Sequence, residues 1–223
     1  MSDDNFIEIY DDNKVLRLKY QKDGKKKHGK YIEYYLNGEI KKDFNYSYDE
    51  LWGIQKTNYN NGNPKEEYES LRNQKEGIYK LYYNMEGKKL QWEYNYKDGN
   101  LEGLQMIYYE NGNLKEKQNY VKGVKVGDQV RYYESGQEQM KFVLKDGKPE
   151  GLLERFYPNG NIEVKTNFQN NLRNGETLEY YEDGTLNKRL NYLNGVLKGE
   201  QNIFNKNGEL VETPFYLKGE KIR

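Results

Sequence analysis

Glycine recurs at positions 29, 53, 77, 103, 127, 151, 175 and 199, in steps of 24 residues broken once by a step of 26. A period of this length marks an array of supersecondary units, each too small to bury a core alone and each stabilised by its neighbours. The two extra residues fall around Glu86-Gly87-Lys88, a turn-like stretch where added length disturbs pairing least. Composition decides what the unit is made of. The 223 residues include no alanine, 24 tyrosines and 22 glycines. The best helix former is absent, and Tyr and Gly at intervals read as strands and turns. Low aliphatic content alone would suggest disorder, but 15% aromatic residues argue against it.

Within each unit a run of about six residues ends in two adjacent aromatics, such as Tyr108-Tyr109, and meets a tight turn. The turn is Asn-Gly at 37–38, 61–62, 111–112, 159–160 and 207–208, with Asp183-Gly184, Ser135-Gly136 and Glu86-Gly87 as variants. Asn-Gly between extended runs predicts a hairpin, because both residues tolerate positive φ and the turn then matches strand twist. A second strand follows from an aliphatic (Ile40, Leu114, Ile162, Leu186, Leu210) to an aromatic (Tyr46, Tyr96, Tyr120, Phe168, Tyr192, Tyr216). It closes at another turn, such as Asp98-Gly99, Asp146-Gly147 or Asn194-Gly195, and the periodic glycines are expected at turns as well. Short connections throughout force antiparallel neighbours. The expected fold is all-β: an elongated single-layer antiparallel meander of tandem hairpins, about eight units of 24 residues, on the order of 75 Å long at ~4.8 Å per strand.

Residues 1–28 read as an N-terminal capping half repeat, with Ile9-Tyr10 in the place of the aromatic pair, Asn13 in the turn and Tyr20 and Gly24 after it. Residues 29–223 read as one continuous repeat domain with units starting near 29, 53, 77, 103, 127, 151, 175 and 199.

Adjacent aromatics in a strand point to opposite faces. The first of each pair (Tyr34, Tyr82, Tyr108, Tyr132, Phe156, Tyr180, Phe204, with Asn58 breaking the series) shares its face with Ile32, Ile54, Ile78, Leu104, Met106, Val130, Leu152 and Leu178, so that face is the expected core. The second is Tyr in seven consecutive units, at Tyr35, Tyr59, Tyr83, Tyr109, Tyr133, Tyr157 and Tyr181. Its face also carries Gln55, Gln105, Gln129, Arg131, Arg155 and Thr177, and is expected to be half wet. Such a ladder has two readings. Stacked tyrosines stabilise a sheet by themselves, with each hydroxyl reaching water or a neighbouring turn. A rigid amphipathic tyrosine surface is also the raw material of interface hot spots, which makes the seven tyrosines with Arg131 and Arg155 the candidate partner-binding residues.

Several classes of chemistry are excluded or disfavoured. The chain lacks cysteine, which removes disulfides, thiolate metal sites and cysteine nucleophiles. Its one histidine, His28, sits in the basic run Lys25 to Lys30 without a second imidazole nearby. Carboxylate pairs such as Glu66-Glu67 and Asp11-Asp12 lie in polar runs and read as solvated faces rather than acid/base pairs. The Asp-Gly and Asn-Gly turns lack the ligand spacing of calcium loops, and no glycine-rich phosphate loop occurs. No catalytic, cofactor or metal residue is expected, and the chain reads as no enzyme. The 36 basic and 36 acidic residues cancel, which argues against nucleic acid and against an anionic membrane. A polar, acidic start at Met1 to Asn5 and the lack of a long apolar run suggest a soluble, cytoplasmic protein.

The pattern Gly-x-x-x-x-Tyr-Tyr-x-x-Gly-x-Leu with this period resembles the MORN repeat (membrane occupation and recognition nexus), and is closer to its bacterial variant form in Tyr-Tyr-Glu-Asn-Gly at 108–112 and Tyr-Tyr-Glu-Asp-Gly at 180–184. The resemblance implies hairpins strung into an elongated curved sheet without an active site. Arrays of the variant resemble antitoxin or immunity proteins that neutralise a partner toxin by binding it. Others in the wider family act as scaffolds or were thought to touch lipid. The Trp-containing core of the eukaryotic form is mostly missing, with only Trp52 and Trp92 present. The expected partner is therefore another protein, a toxin or effector, with a structural scaffold or tether as the alternative and a peripheral lipid binder behind both. End-to-end dimers through exposed terminal strands stay open.

Overall fold

The computed structural model describes residues 6–223; the acidic start at 1–5 lies outside the described residues. Among the described residues every regular element is a strand and no helix occurs. The chain divides into two compact units, Met1–Gly112 and Asn113–Arg223.

The first unit contains β1 (Phe6–Tyr10), β2 (Leu16–Asp23), β3 (Lys26–Tyr34), β4 (Ile40–Ser47), β5 (Glu50–Leu51), β6 (Gly53–Asn58), β7 (Pro64–Leu71), β8 (Gln74–Tyr82), β9 (Leu90–Lys97), β10 (Asn100–Leu101) and β11 (Gly103–Tyr108). Each strand pairs antiparallel with the next, and the short β5 and β10 share β4 and β9 with β6 and β11. The second unit contains β12 (Leu114–Val121), β13 (Val124–Tyr132), β14 (Glu138–Lys145), β15 (Lys148–Phe156), β16 (Ile162–Gln169), β17 (Leu172–Tyr180), β18 (Leu186–Leu193), β19 (Val196–Leu197), β20 (Gly199–Glu200), β21 (Asn202–Phe204), β22 (Leu210–Glu212), β23 (Phe215–Leu217) and β24 (Glu220–Lys221). It meanders in the same way to β22, while β20, β23 and β24 form a small separate sheet. The all-β antiparallel meander of tandem hairpins is thus the fold of both units.

The turns are of two kinds, and the Asn-Gly turns differ from expectation. In the first hairpin the Tyr35 N–H donates to the Glu39 carbonyl at 2.8 Å and the Gly38 N–H to the Tyr35 carbonyl at 3.1 Å. Only Gly38 has positive φ, +87°, so this is a three-residue loop, a type I turn closed by a left-handed glycine, and Asn37 stays in an ordinary conformation. The same pairs of bonds close the loops after Tyr59, Tyr133, Tyr157, Tyr181 and Asn205. The two-residue turns with positive φ at both positions lie at the other sheet edge: Tyr48-Asp49, Arg72-Asn73, Asp98-Gly99, Lys122-Gly123, Asp146-Gly147, Asn170-Asn171, Asn194-Gly195 and Lys218-Gly219.

The periodic glycines are not turn residues. Gly29, Gly77, Gly127, Gly151 and Gly175 sit inside nine-residue strands at positive φ, and Gly53, Gly103 and Gly199 open strands at positive φ just after a two-residue strand. Around Gly29 the pairing slips from Tyr20 opposite Tyr31 to Lys22 opposite Lys27, a bulge. Left-handed glycine supplies such bulges without Cβ strain, and they bend and twist the strand.

The N-terminal hairpin forms, one residue out of the expected phase. Tyr10 takes the place of Tyr34 and Asp11 that of the ladder tyrosine. Asp11 closes the loop through Lys14, and its carboxylate accepts the N–H groups of Asn13 and Val15.

Burial differs from the expected core face. Ile54 and Ile78, next to their glycines, are each 50% exposed, while Gln55 and Gln105 are fully buried and Tyr79 nearly so. Most of the buried side chains lie on the face bearing the tyrosine ladder, while Tyr82, 4% exposed, and Glu154 are buried on the other. In the first unit the ladder face holds Tyr79 against Tyr68, Tyr94 and Tyr96, with ring centroids 5.9–6.4 Å apart. On the other face, aromatic meets aliphatic across the strands: Tyr34 opposite Ile40, Tyr82 opposite Leu90, Phe156 opposite Ile162, and Tyr180 opposite Leu186.

Candidate functional site

The tyrosine ladder is a row of staples. The Tyr35 hydroxyl donates to the Asn58 carbonyl at 2.8 Å, Tyr59 to Tyr82 at 2.9 Å, and Tyr83 to Tyr108 at 2.8 Å. In the second unit Tyr133 donates to the Phe156 carbonyl at 2.7 Å, Tyr157 to Tyr180 at 2.9 Å, and Tyr181 to Phe204 at 3.0 Å. Tyr109 holds the corresponding position after β11. Each acceptor ends the first strand of the next hairpin, so the hydroxyl reaches a neighbouring turn, as one of the two sequence readings required. Arg131 and Arg155 are paired across strands on this face, Arg131 Nε with Glu116 at 3.4 Å and Arg155 Nε with Glu163 at 2.6 Å.

The opposite edge is tied as well. The N–H of Asp49 donates to the Lys27 carbonyl, that of Asn73 to Leu51, Gly99 to Lys75, Gly147 to Lys125, Gly195 to Arg173 and Gly219 to Leu197, all at 2.8–3.1 Å. Within each unit, consecutive hairpins are therefore held at both margins as well as along the strands.

A second buried series escaped the sequence reading. Gln55 Oε1 accepts the Asn45 N–H at 2.9 Å, while its Nε2 donates to the carbonyls of Gly53 and Asn45. Gln105 does the same with Asn95, Glu102 and Gly103, and Gln201 with Asn191, Lys198 and Gly199. Gln129 donates to Val126 and Gly127. A bulge leaves backbone groups unpaired, and a buried side-chain amide carries both a donor and an acceptor with which to satisfy them. The signal was in the sequence: Asn and Gln ten residues apart, at 45/55, 95/105, 119/129 and 191/201.

Lys75 lies over Tyr79, Tyr68 and Tyr96 at 3.9, 5.1 and 5.2 Å from the ring centroids. Burial holds its ammonium below the usual lysine range, with the Glu66 carboxylate pulling the other way. Tyr79, pushed up by burial and by its 2.8 Å hydrogen bond to Glu66, stays a neutral phenol. This cluster is filled by its own cation and offers no site for another.

What remains open is the other face. In the first unit the exposed Ile54 and Ile78 flank a shallow depression with Glu67, Glu69 and Lys80, and Ile54 also borders a second one with Trp52, Lys30 and Asp43. In the second unit Val143 and Leu152, each 38% exposed, share a depression with Val130, Lys141 and Glu154. Ion pairs frame these aliphatics: Lys30 with Asp43 at 2.7 Å, and Glu154 with Lys141 and Lys165 at 3.0 and 3.3 Å. Exposed apolar groups within a paired polar frame have the composition of a surface that docks protein.

Four segments of the chain, 27–48, 101–122, 149–170 and 173–194, match the MORN repeat variant. Each begins two residues before a bulge glycine and ends on the first residue of a two-residue turn, so one match spans one structural unit. These matches support a protein of MORN repeats, and such repeats generally bind protein or lipid. No curated protein matches the chain.

Proposed function

We propose that this chain is a non-enzymatic protein-binding repeat protein of the cytoplasm, acting as an antitoxin or immunity-type inhibitor that neutralises a toxin or effector by covering it. The observation that carries the binding part is the recurrence of half-exposed aliphatics at one register position, Ile54 and Ile78, on the face that the staples leave free. Scattered apolar side chains are ordinary on a surface, but a row within a polar frame has the composition of an interface. The inhibitory part follows from the resemblance to variant repeat arrays. The tyrosine ladder then serves the binding face by holding its hairpins in register.

The test is capture from the source cell's lysate, at low and physiological salt, with the wild-type chain and with Ile54→Lys/Ile78→Lys. One stoichiometric partner held by the wild type, lost with the double variant and inactivated by added wild-type protein supports the reading. A partner retained by the double variant moves the site off this face. Several partners captured together, none of them inhibited, would favour the scaffold.

A further inference from the structure

The Asn-Gly turns share a sequence and differ in how tightly the asparagine is held. In the loop Tyr157-Pro158-Asn159-Gly160-Asn161, Asn159 Oδ1 accepts the Asn161 N–H at 2.9 Å and its Nδ2 donates to the Glu182 carbonyl at 2.8 Å. Asn37 is held by the Glu39 N–H and the Asn60 carbonyl, and Asn61 by the Asn63 N–H and Asn84 Oδ1. Asn111 is likewise engaged.

The loop Asn205-Lys206-Asn207-Gly208-Glu209 breaks the pattern. The ladder position holds Asn205, and its Oδ1 takes the Glu209 N–H at 3.0 Å, the bond that Asn207 would otherwise accept. It takes the Asn207 N–H too, at 2.9 Å. The Asn207 side chain makes no hydrogen bond to any described residue. The backbone nitrogen that follows is engaged alike in these loops: Gly208 donates to Asn205 at 3.0 Å, Gly160 to Tyr157 at 2.9 Å, Gly62 to Tyr59 at 3.0 Å and Gly38 to Tyr35 at 3.1 Å. The loops therefore differ at the side-chain carbonyl and not at the nitrogen that would attack it.

We propose that Asn207 is a site of spontaneous deamidation through a succinimide, set apart from the other Asn-Gly turns by its unheld side chain. The Gly208 backbone nitrogen bonds to Asn207 Cγ and loses its proton to solvent base, and the Cγ–Nδ2 bond breaks with departure of ammonia. Water then opens the ring at either carbonyl, leaving aspartate or isoaspartate. One neutral amide becomes one carboxylate, and the isoaspartyl form routes the backbone through the former side chain at a loop whose closure depends on Gly208 at φ +78°. Two further Asn-Gly pairs are held by other means. Asn174 Nδ2 is bonded to Gln169 Oε1. Beside Asn194, the Gly195 nitrogen is tied at 2.8 Å to Arg173, so attack there must separate adjacent hairpins.

The full-length protein is incubated at mildly alkaline pH and physiological temperature, sampled over weeks and peptide-mapped by mass spectrometry with an isoaspartate-specific methylation assay. Asn207 converts fastest, about tenfold ahead of Asn159, because Asn159 must first break two hydrogen bonds. In denaturant the two rates converge. Asn205→Tyr, which restores the ladder residue and releases the Glu209 N–H to Asn207, slows conversion at Asn207 to the rate of Asn159. Equal rates at Asn207 and Asn159 in the folded protein, a faster Asn194, or an Asn205→Tyr protein that still converts rapidly at Asn207 would overturn the proposal.

Discussion

The Tyr157 hydroxyl donates to the Tyr180 carbonyl at 2.9 Å, across 23 residues of sequence and from the rim of one hairpin to the last strand residue of the next. A strand carbonyl next to a turn has lost its ladder partner, and the phenol supplies a donor on a stiff two-torsion arm. One residue type recurring once per repeat thus couples successive hairpins within each unit. In an array where units touch only their neighbours, such coupling enters the stability once per interface.

Tyr157→Phe keeps the ring and removes the donor. Urea unfolding should show a loss of about 1 kcal/mol, the net worth of one hydrogen bond. Tyr133→Phe/Tyr157→Phe/Tyr181→Phe should lose roughly three times as much if the interfaces act independently. Partner capture by the folded triple variant should be unchanged, and its loss would return the binding site to the ladder.

Gln105→Leu should cost more than any single tyrosine. It leaves the Asn95 N–H and the carbonyls of Glu102 and Gly103 without the bonds that Gln105 makes to them, inside a fully buried pocket. Stranding buried polar groups costs roughly 1–3 kcal/mol each where water cannot enter. A midpoint shift no larger than that of Tyr157→Phe would contradict the clasp.

Gly127→Ala and Gly29→Ala separate backbone strain from crowding. Both glycines have positive φ, +63° and +99°. A Cβ at Gly127 would meet nothing within 4 Å, so only the left-handed conformation resists it, at about 1–2 kcal/mol. At Gly29 it would overlap Gln21 Oε1, which accepts the Lys30 N–H at 2.8 Å, so that bond is disturbed too. Thermal unfolding should place the Gly29→Ala midpoint below that of Gly127→Ala.

Stability should fall in acid partly through Glu154. Burial is the largest single influence and pushes its carboxyl up, but the hydrogen bonds and charges of Lys141 and Lys165 outweigh it and hold the group below the usual glutamate range. A depressed folded value stabilises the protein above the unfolded value, and the gain disappears as pH drops from there through the folded one. The lysines are half-exposed, so the effect is about 1 kcal/mol or less. Glu154→Gln should narrow the difference between urea midpoints at neutral pH and at a pH below the ordinary glutamate range; an unchanged difference would remove Glu154 from the acid response.

The sequence by itself determined the period, the hairpins and their antiparallel order. Those rest on local chemistry, in which glycine and asparagine accept turn conformations and Tyr-rich runs favour extended chain, and local chemistry is written where it acts. The register was not legible, because a two-residue Asn37-Gly38 turn would set Tyr34 opposite Lys41, and the three-residue loop that forms sets it opposite Ile40. Which face is buried was decided only by the tertiary structure. Apolar character placed Ile54 inside and Gln55 in the wet, yet Gln55 is fully buried, its amide bonded to the Asn45 backbone of the adjacent strand and to Gly53 of its own. The bonds that consume the Gln55 amide and the Tyr157 hydroxyl come from residues 10 and 23 positions away. An isolated unit contains only one side of the tyrosine staple, so the tie exists only once the hairpins are stacked.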